Sequence, residues 1–164
     1  MHNLEDKFIK AYNEFSDAIF RHCCFRVYNR DSAKDITQET FTKTWQYLVD
    51  GGEIENIKAF LYKTANNLII DLFRKKKAVS LETMQETGFE PSYDDSNSIN
   101  NSIEVKRLLK IMDRLDSTYR DIIIMRYIDD LSPKQIAEIA QESENNISVK
   151  IHRGIKKLKE LING

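Results

Sequence analysis

Residues 132–153 read SPKQIAEIAQESENNISVKIHR, and they carry the clearest local signals in the chain. Ser132 is a favoured N-cap residue, and Pro133 suits the first helical position because its missing amide hydrogen would find no partner there. Gln135 stands three residues after Ser132 and so completes a capping box. Together these signals predict a short helix over residues 133–140.

A second helix is predicted close behind the first. Residues 141–144 interrupt the apolar pattern, and the last helix is expected over about residues 145–161. Turns between such helices often carry Gly, whereas this chain has Gln141. The small Ala137 favours close packing, and four isoleucines can form the apolar joint: Ile136, Ile139, Ile147 and Ile151. The pattern predicts a helix-turn-helix, which presents its second helix to the major groove of DNA.

The exposed side of this second helix would carry groups that bind DNA. Asn pairs with adenine edges, and Lys or Arg pairs with guanine or with phosphate. The candidates for binding duplex DNA are Asn145, Asn146, Ser148, Lys150, Arg153 and Lys156. The same pattern also fits an amphipathic hairpin whose lysines are simply solvated, and the pattern alone leaves that alternative open.

The rest of the chain favours helices as well. Its 5 Gly and 2 Pro are fewer than a sheet protein with many tight turns would usually need. Apolar residues recur at helical spacing over five further segments, about residues 4–28, 32–49, 57–77, 103–115 and 117–128. Asp31 or Ser32 is expected to cap the second of these helices. The prediction is an all-α fold.

The net charge of −1 hides a division of the chain into three segments. Residues 1–77 hold 13 basic and 11 acidic residues, and residues 103–164 hold 12 and 10, so each segment has a net charge of +2. Residues 78–102 hold five acidic residues and no Lys or Arg. We therefore predict two small helical domains joined by a flexible acidic linker. A near-zero total charge does not exclude DNA binding, because phosphate contacts depend on where the cations lie.

Catalytic, metal and membrane patterns are not found in the sequence. The 2 Cys are adjacent, Cys23 and Cys24, which is neither a disulfide framework nor a metal-ligand spacing. The three His are scattered, and no phosphate loop or nucleophile motif occurs, so we predict neither an enzyme nor a cofactor. No signal peptide or membrane-spanning run is recognisable, and a cytoplasmic location without membrane insertion is expected.

The first half carries a more specific resemblance. Residues 35–41, DITQETF, followed by Trp45, resemble the polymerase-binding helix of the extracytoplasmic-function (ECF) sigma factors of bacterial RNA polymerase. Residues 59–76, AFLYKTANNLIIDLFRKK, are similar to that family's promoter-melting and −10-reading helix. Residues 115–158 resemble its −35-reading domain. The resemblance covers nearly all of the chain, in the family's order.

This resemblance implies a function and a set of partners. Asp35, Gln38 and Glu39 would dock on the β′ clamp helices of core RNA polymerase, and the second domain would meet the β flap and promoter DNA. Contacts with the −10 region are implied for Lys58, Lys63, Asn66, Asn67, Arg74, Lys75 and Lys76. Asn66 departs from the family, in which Arg is common at that position. The family also implies regulation by an anti-sigma factor.

Simpler interpretations stay open for several of these residues. Asp35, Gln38 and Glu39 fit a solvated helix face, and Arg74–Lys77 fit a basic helix end that favours the helix dipole. Phe41 and Trp45 are expected in the core rather than in a contact surface.

Two other classes of protein share part of the pattern. A LuxR-like transcription regulator would have a similar helix-turn-helix, but its first half would form a receiver or ligand domain. A helical adaptor protein would bind no DNA. Neither alternative accounts for both halves of the chain.

Overall fold

The computed structural model describes residues 2–83 and 103–164, which belong to two compact units. The first unit contains three helices: α1 (His2–Val27), α2 (Arg30–Val49) and α3 (Ile57–Thr83). The second contains α4 (Ile103–Asp113), α5 (Ser117–Ile123), a π-helical segment (Ile124–Ile128), α6 (Pro133–Ala140) and α7 (Glu144–Asn163). These ranges contain no strand, and the predicted all-α fold is confirmed.

The three helices of the first unit pack pairwise around an aliphatic core. Ile19 of α1 and Leu61 and Ile69 of α3 have no exposed surface. Phe41 of α2 is buried as well and adds an aromatic ring to this core. Each such side chain contributes about 1.5–3 kcal/mol when it leaves water. The helical spacing of these residues therefore fixes which face of each helix points inward.

The inward face of α2 also carries two threonines, Thr40 and Thr44, which are fully buried. The Thr40 hydroxyl donates to the carbonyl of Ile36 at 2.7 Å, and the Thr44 hydroxyl donates to the carbonyl of Thr40 at 2.8 Å. Because each hydroxyl finds its acceptor one turn earlier in the same helix, neither is buried without a hydrogen bond. Helix α2 can therefore pack closely in spite of its polar residues.

The predicted cap of α2 was wrong by two to three residues. Asn29, rather than Asp31 or Ser32, is the N-cap, and its side-chain oxygen accepts from the amide of Ser32 at 2.9 Å. The preceding residue, Tyr28, has a φ of 56° and so ends α1 in the left-handed region. Asn is a strong cap residue, and Asn29 can cap α2 because the left-handed conformation of Tyr28 turns the chain just before it.

Helix α3 extends further than its apolar pattern predicts. It ends at Thr83 rather than at Lys77, so residues 78–83 of the predicted linker are helical. These six residues contain no Gly or Pro, and nothing in them stops a helix that has already formed. The remainder of the predicted linker, residues 84–102, lies outside the described residues.

In the second unit, the predicted single helix over residues 117–128 changes its hydrogen bonding half-way. Helix α5 ends at Ile123, and residues 124–128 are π-helical, with the amide of Asp129 donating to the carbonyl of Ile124 at 3.0 Å. Asp116 caps α5 by accepting from the amide of Thr118, a hydrogen bond that lowers the pKa of the Asp116 carboxyl. Periodicity alone does not reveal a π-helical turn, because its residues are as apolar as those of an α-helix.

The helix-turn-helix forms as predicted. Helix α6 spans Pro133–Ala140, and both hydrogen bonds of the capping box between Ser132 and Gln135 are present. Gln141 adopts the left-handed conformation, with φ 56° and ψ 45°, at the position where Gly is common. Helix α7 begins at Glu144, one residue earlier than predicted, because Ser143 caps it.

Helix α7 approaches α5 closely at Gly154. A Cβ atom at Gly154 would lie 2.9 Å from Cδ1 of Ile123 and 3.3 Å from Cβ of Tyr119. Ile147, which lies about two turns earlier on the same face of α7, is fully buried. These contacts hold one side of α7 against the unit and fix which side faces solvent.

We predict that Ser132→Ala destabilises the start of α6 by about 1 kcal/mol, since one of the two capping-box bonds is lost. Amide hydrogen exchange would show this as faster exchange in α6 than in the wild-type protein. Ser148→Ala is the matched control, because Ser148 is exposed within α7 and caps nothing. Equal protection of α6 in both variants would contradict the capping role.

Candidate nucleic-acid interface

The solvent side of α7 carries most of the side chains predicted to bind duplex DNA. Asn145, Asn146, Ser148, Arg153 and Lys156 are all exposed. They lie opposite the anchoring contacts of α7, so the helix offers amides, a hydroxyl and cations along one accessible surface. Such a surface can make both base-edge and phosphate contacts.

Lys150 differs from the other residues of this set. Its ammonium forms an ion pair and hydrogen bond with Oε1 of Glu142 at 2.5 Å, and only 28% of its side chain is exposed. Glu142 belongs to the turn between α6 and α7. The structure therefore shows Lys150 engaged with its own turn, a contact that the spacing of eight residues did not reveal.

The residues predicted for the −10 region extend along α3. From Lys58 to Lys76 the helix rises about 27 Å. Lys58 and Lys63 are half-buried, whereas Asn67, Arg74, Lys75 and Lys76 are exposed. Helix α3 thus carries one accessible amide in its middle and a cluster of cations near its end.

The side chain of Asn66 makes a hydrogen bond within the first unit. Arg26 of α1 is 3% exposed, and its Nη1 donates to Oδ1 of Asn66 at 2.7 Å. A hydrogen bond to a buried guanidinium is stronger than one between neutral groups. Asn66 therefore ties α3 to α1, and sequence analysis missed this because Arg26 lies forty positions away.

The connection between α2 and α3 folds against an aromatic pair. The rings of Tyr47 and Phe60 are 5.0 Å apart and tilted by 36°. A Cβ atom at Gly52 would lie 2.3 Å from the Tyr47 ring, so only Gly allows this approach. Tyr47 was not among the predicted site residues, although the pair Gly51-Gly52 signals a tight turn beside it. The arrangement places a 43% exposed Tyr next to the connection.

The outward face of α2 carries the residues predicted to bind the polymerase. Asp35, Gln38 and Glu39 are exposed, while Ile36 and Leu48 on the opposite face are buried. Among the described residues these three side chains have no ion pair or side-chain hydrogen bond, and their exposure makes them available to a partner.

Two aromatic residues of α2, Phe41 and Trp45, differ in how deeply they are buried. Phe41 is buried, as predicted, and packs edge-on against Phe8 and Tyr12. Trp45 is half-buried beside Phe8, with the ring centroids 5.1 Å apart. The prediction of a core position holds for Phe41 and only partly for Trp45.

The adjacent cysteines show no sign of metal or thiolate chemistry. Cys23 is buried, and burial raises the pKa of the Cys24 thiol to about 11, with Arg30 opposing the shift. The thiol is therefore protonated at neutral pH. Within residues 2–83 and 103–164 no cluster of three or more His, Cys, Asp or Glu could hold a metal ion. No helix among them is long and apolar enough to span a membrane.

Comparison with known families assigns both units. The family model described as "Sigma-70 region 2" matches residues 11–79, and "Sigma-70, region 4" matches residues 106–158. The chain belongs to the sigma-70 family. As an RNA polymerase sigma factor it is a transcription initiation factor and not an enzyme. The region 2 match occupies the half in which a LuxR-like regulator would have a receiver or ligand domain, and it decides against that alternative.

Curated relatives place this sigma factor in the ECF group. It is 32% identical to the RNA polymerase sigma factor SigV of Bacillus subtilis, over 79% of this chain and 75% of SigV. It is 29% identical to the ECF RNA polymerase sigma factor SigW of the same organism, over 95% of this chain and 89% of SigW. The ECF resemblance inferred from the motifs is confirmed.

Solved structures share the fold. The sigma factor RpoE of Bartonella quintana, crystallised with the anti-sigma factor NepR, matches with a TM-score of 0.76 at 19% identity, over 96% of this chain and 97% of that one. CnrH in complex with the cytosolic domain of CnrY matches with a TM-score of 0.72 at 20% identity, over 97% and 89%.

We predict that Asn66→Ala destabilises the first unit by about 1.5–3 kcal/mol, because a buried guanidinium loses an acceptor. Asn67→Ala is the matched control, since the neighbouring Asn is exposed. Urea unfolding followed by the fluorescence of Trp45, the single Trp of the chain, reports on this unit. Equal midpoints for the two variants would show that the Arg26 contact contributes nothing to stability.

Proposed function

We propose that this ECF sigma factor is a promoter-specificity subunit. In this proposal its first unit binds core RNA polymerase and the melted −10 region, and its second unit reads the −35 duplex. The observation that carries the proposal is the exposed polar face of α7, a helix held in place by a helix-turn-helix within the region 4 match. The region 2 match around α2 and α3 supports the other half.

The residues proposed to contact the −35 duplex fall into two chemical groups, neutral polar side chains and cations. Asn145 and Asn146 lie at the start of α7, where a recognition helix meets base edges, and Ser148 adds a hydroxyl. Arg153 and Lys156 lie about two to three turns later, where phosphate or guanine contacts suit their charge. We infer that the amides contribute more to specificity and the cations more to affinity.

The proposed −10 contacts combine a stacking surface with cations. A base flipped out of the duplex needs a pocket and a stacking partner, because unpairing and unstacking it costs a few kcal/mol. Tyr47 and Phe60 beside Gly52 offer aromatic surface, and Asn67 offers an accessible amide. Arg74, Lys75 and Lys76 would hold the phosphates of the single strand. Asn66, whose amide oxygen accepts a hydrogen bond from Arg26, would support this surface by tying α3 to α1.

The proposed docking surface for core polymerase is the outward face of α2. Two exposed carboxylates flank an amide there, Asp35 and Glu39 beside Gln38. Such a face suits a basic helical partner and sets its register through polar pairs, as the β′ clamp helices would require. Contact of the second unit with the β flap completes the proposed assembly, which operates in the bacterial cytoplasm.

An anti-sigma factor is the proposed regulatory partner. RpoE, whose fold this chain shares, was solved in complex with the anti-sigma factor NepR. A partner that covered the face of α2 or of α7 would block a surface needed for transcription. Release from it would then switch this sigma factor on.

Run-off transcription tests the proposed function as a whole. Bacterial core polymerase is incubated with a pool of genomic fragments, with and without this protein. Discrete transcripts that require the protein are the expected result. Failure of the protein to bind core polymerase in a parallel pull-down would overturn the proposal.

Reversing charge on the docking face should weaken polymerase binding. Asp35→Lys with Glu39→Lys is expected to lower affinity for core at least tenfold, because both polar pairs become repulsive. Asp17→Lys, also exposed in the same unit but on α1, is the control. Titrations of labelled protein with core should separate the variants. The docking assignment is wrong if the double variant binds like the control.

Removing a cation from α7 should weaken promoter use without affecting core binding. Arg153→Ala is expected to reduce run-off transcription severalfold at limiting promoter, since a phosphate or base contact is lost. Lys159→Ala is the matched control, as it is exposed further along α7 and is not in the proposed contact set. Identical promoter titrations for the two variants would falsify the recognition-helix assignment.

A further inference from the structure

The turn of the helix-turn-helix holds an acidic side chain beside the DNA-facing helix. Glu142 follows Gln141, whose left-handed conformation turns the chain, and the Glu142 amide donates to the carbonyl of Ala137 at 3.1 Å. The backbone of Glu142 is therefore fixed by α6. Its carboxylate reaches across the turn to Lys150, which lies nearly two turns into α7.

The ion pair between these two side chains is partly withdrawn from water. About a third of the Glu142 side chain is exposed (32%), and 28% of that of Lys150. Oε2 of Glu142 is buried without a hydrogen-bond partner in the structure, so Oε1 alone meets the lysine. Ion pairs that are partly buried are screened less by salt than exposed ones. Glu142 and Lys150 are thus each other's principal charge partner.

This pairing changes what Lys150 can offer to DNA. An ammonium that already has a carboxylate partner gains less from a phosphate than a solvated one does, because the existing pair must first be broken or shared. Arg153 and Lys156, on the same helix, are exposed and have no such partner among the described residues. The cations of α7 therefore differ in availability although they look alike in the sequence.

We propose that Glu142 limits sequence-independent DNA binding: it holds the Lys150 ammonium back from the DNA backbone and so lowers the affinity of this sigma factor for DNA of any sequence. The proposal rests on the proposed role of α7 in DNA binding. Sequence-independent affinity comes from phosphate contacts, and base contacts specify the site. Withholding one cation weakens binding everywhere and leaves the discrimination by Asn145 and Asn146 intact.

The test measures binding of the full chain to labelled duplex DNA of mixed sequence over a range of salt. Each phosphate contact adds about 0.9 to the slope of log affinity against log salt. Glu142→Gln frees Lys150, so we expect tighter binding at low salt and a slope steeper by about one. When salt is raised from roughly 50 to 200 mM, Glu142→Gln should therefore lose about threefold more affinity than the wild-type protein does.

Two controls separate this effect from a general change of charge. Glu144→Gln removes the same charge from an exposed position two residues away. It should shift the slope much less than Glu142→Gln does. In a Lys150→Gln background, Glu142→Gln should no longer steepen the slope, because the cation that it would release is absent. Circular dichroism of each variant verifies that the helices are intact.

A second pair of variants keeps the proposal testable if Glu142→Gln does not fold. Lys150→Gln should leave the wild-type slope nearly unchanged, whereas Arg153→Gln should reduce it by about one. Equal slopes for Glu142→Gln and Glu144→Gln, or an effect of Glu142→Gln that survives in the Lys150→Gln background, would overturn the proposal. A wild-type protein whose binding does not depend on salt or on Arg153 would instead refute the role of α7 in DNA binding.

Discussion

The close approach of α7 to α5 at Gly154 is the constraint on which the DNA-facing surface depends. A recognition helix can present a defined row of side chains only if its rotation about its own axis is fixed. The missing side chain at Gly154 lets α7 lie against Tyr119 and Ile123, and the buried Ile147 fixes the same face about two turns earlier. The exposure of Asn145, Asn146 and Arg153 is a consequence of that anchoring.

Much of the fold could be predicted because its signals are local. The capping box from Ser132 to Gln135 gave the start of α6, and the apolar stripes gave the helices and their buried faces. Errors arose where two local signals compete or where none exists. Asn29 outcompeted Ser32 as a cap because Tyr28 had already turned the chain, and α3 ran on to Thr83 because no residue stopped it.

The candidate site was predictable in its location but not in the state of each side chain. Asn66 and Asn67 are neighbours of identical chemistry, yet one accepts from a buried guanidinium and the other faces solvent. Lys150 and Arg153 show the same contrast on α7. The partners, Arg26 and Glu142, are brought near by tertiary packing and by a turn. Sequence patterns report which residue types a surface contains, whereas packing decides which of them are already engaged.

The π-helical segment at Ile124–Ile128 has a consequence for which changes of length this chain can tolerate during evolution. A π-turn accommodates one residue more than the α-turn it replaces. Just beyond it Leu131 is buried, and its amide donates to the carbonyl of Met125 at 3.0 Å. Losing one residue from an ordinary α-helix rotates everything beyond it by about 100°. At this segment the loss could be absorbed by relaxation to an α-turn. The stretch just before the helix-turn-helix is thus a natural place for relatives to differ in length while both flanking helices keep their packed faces.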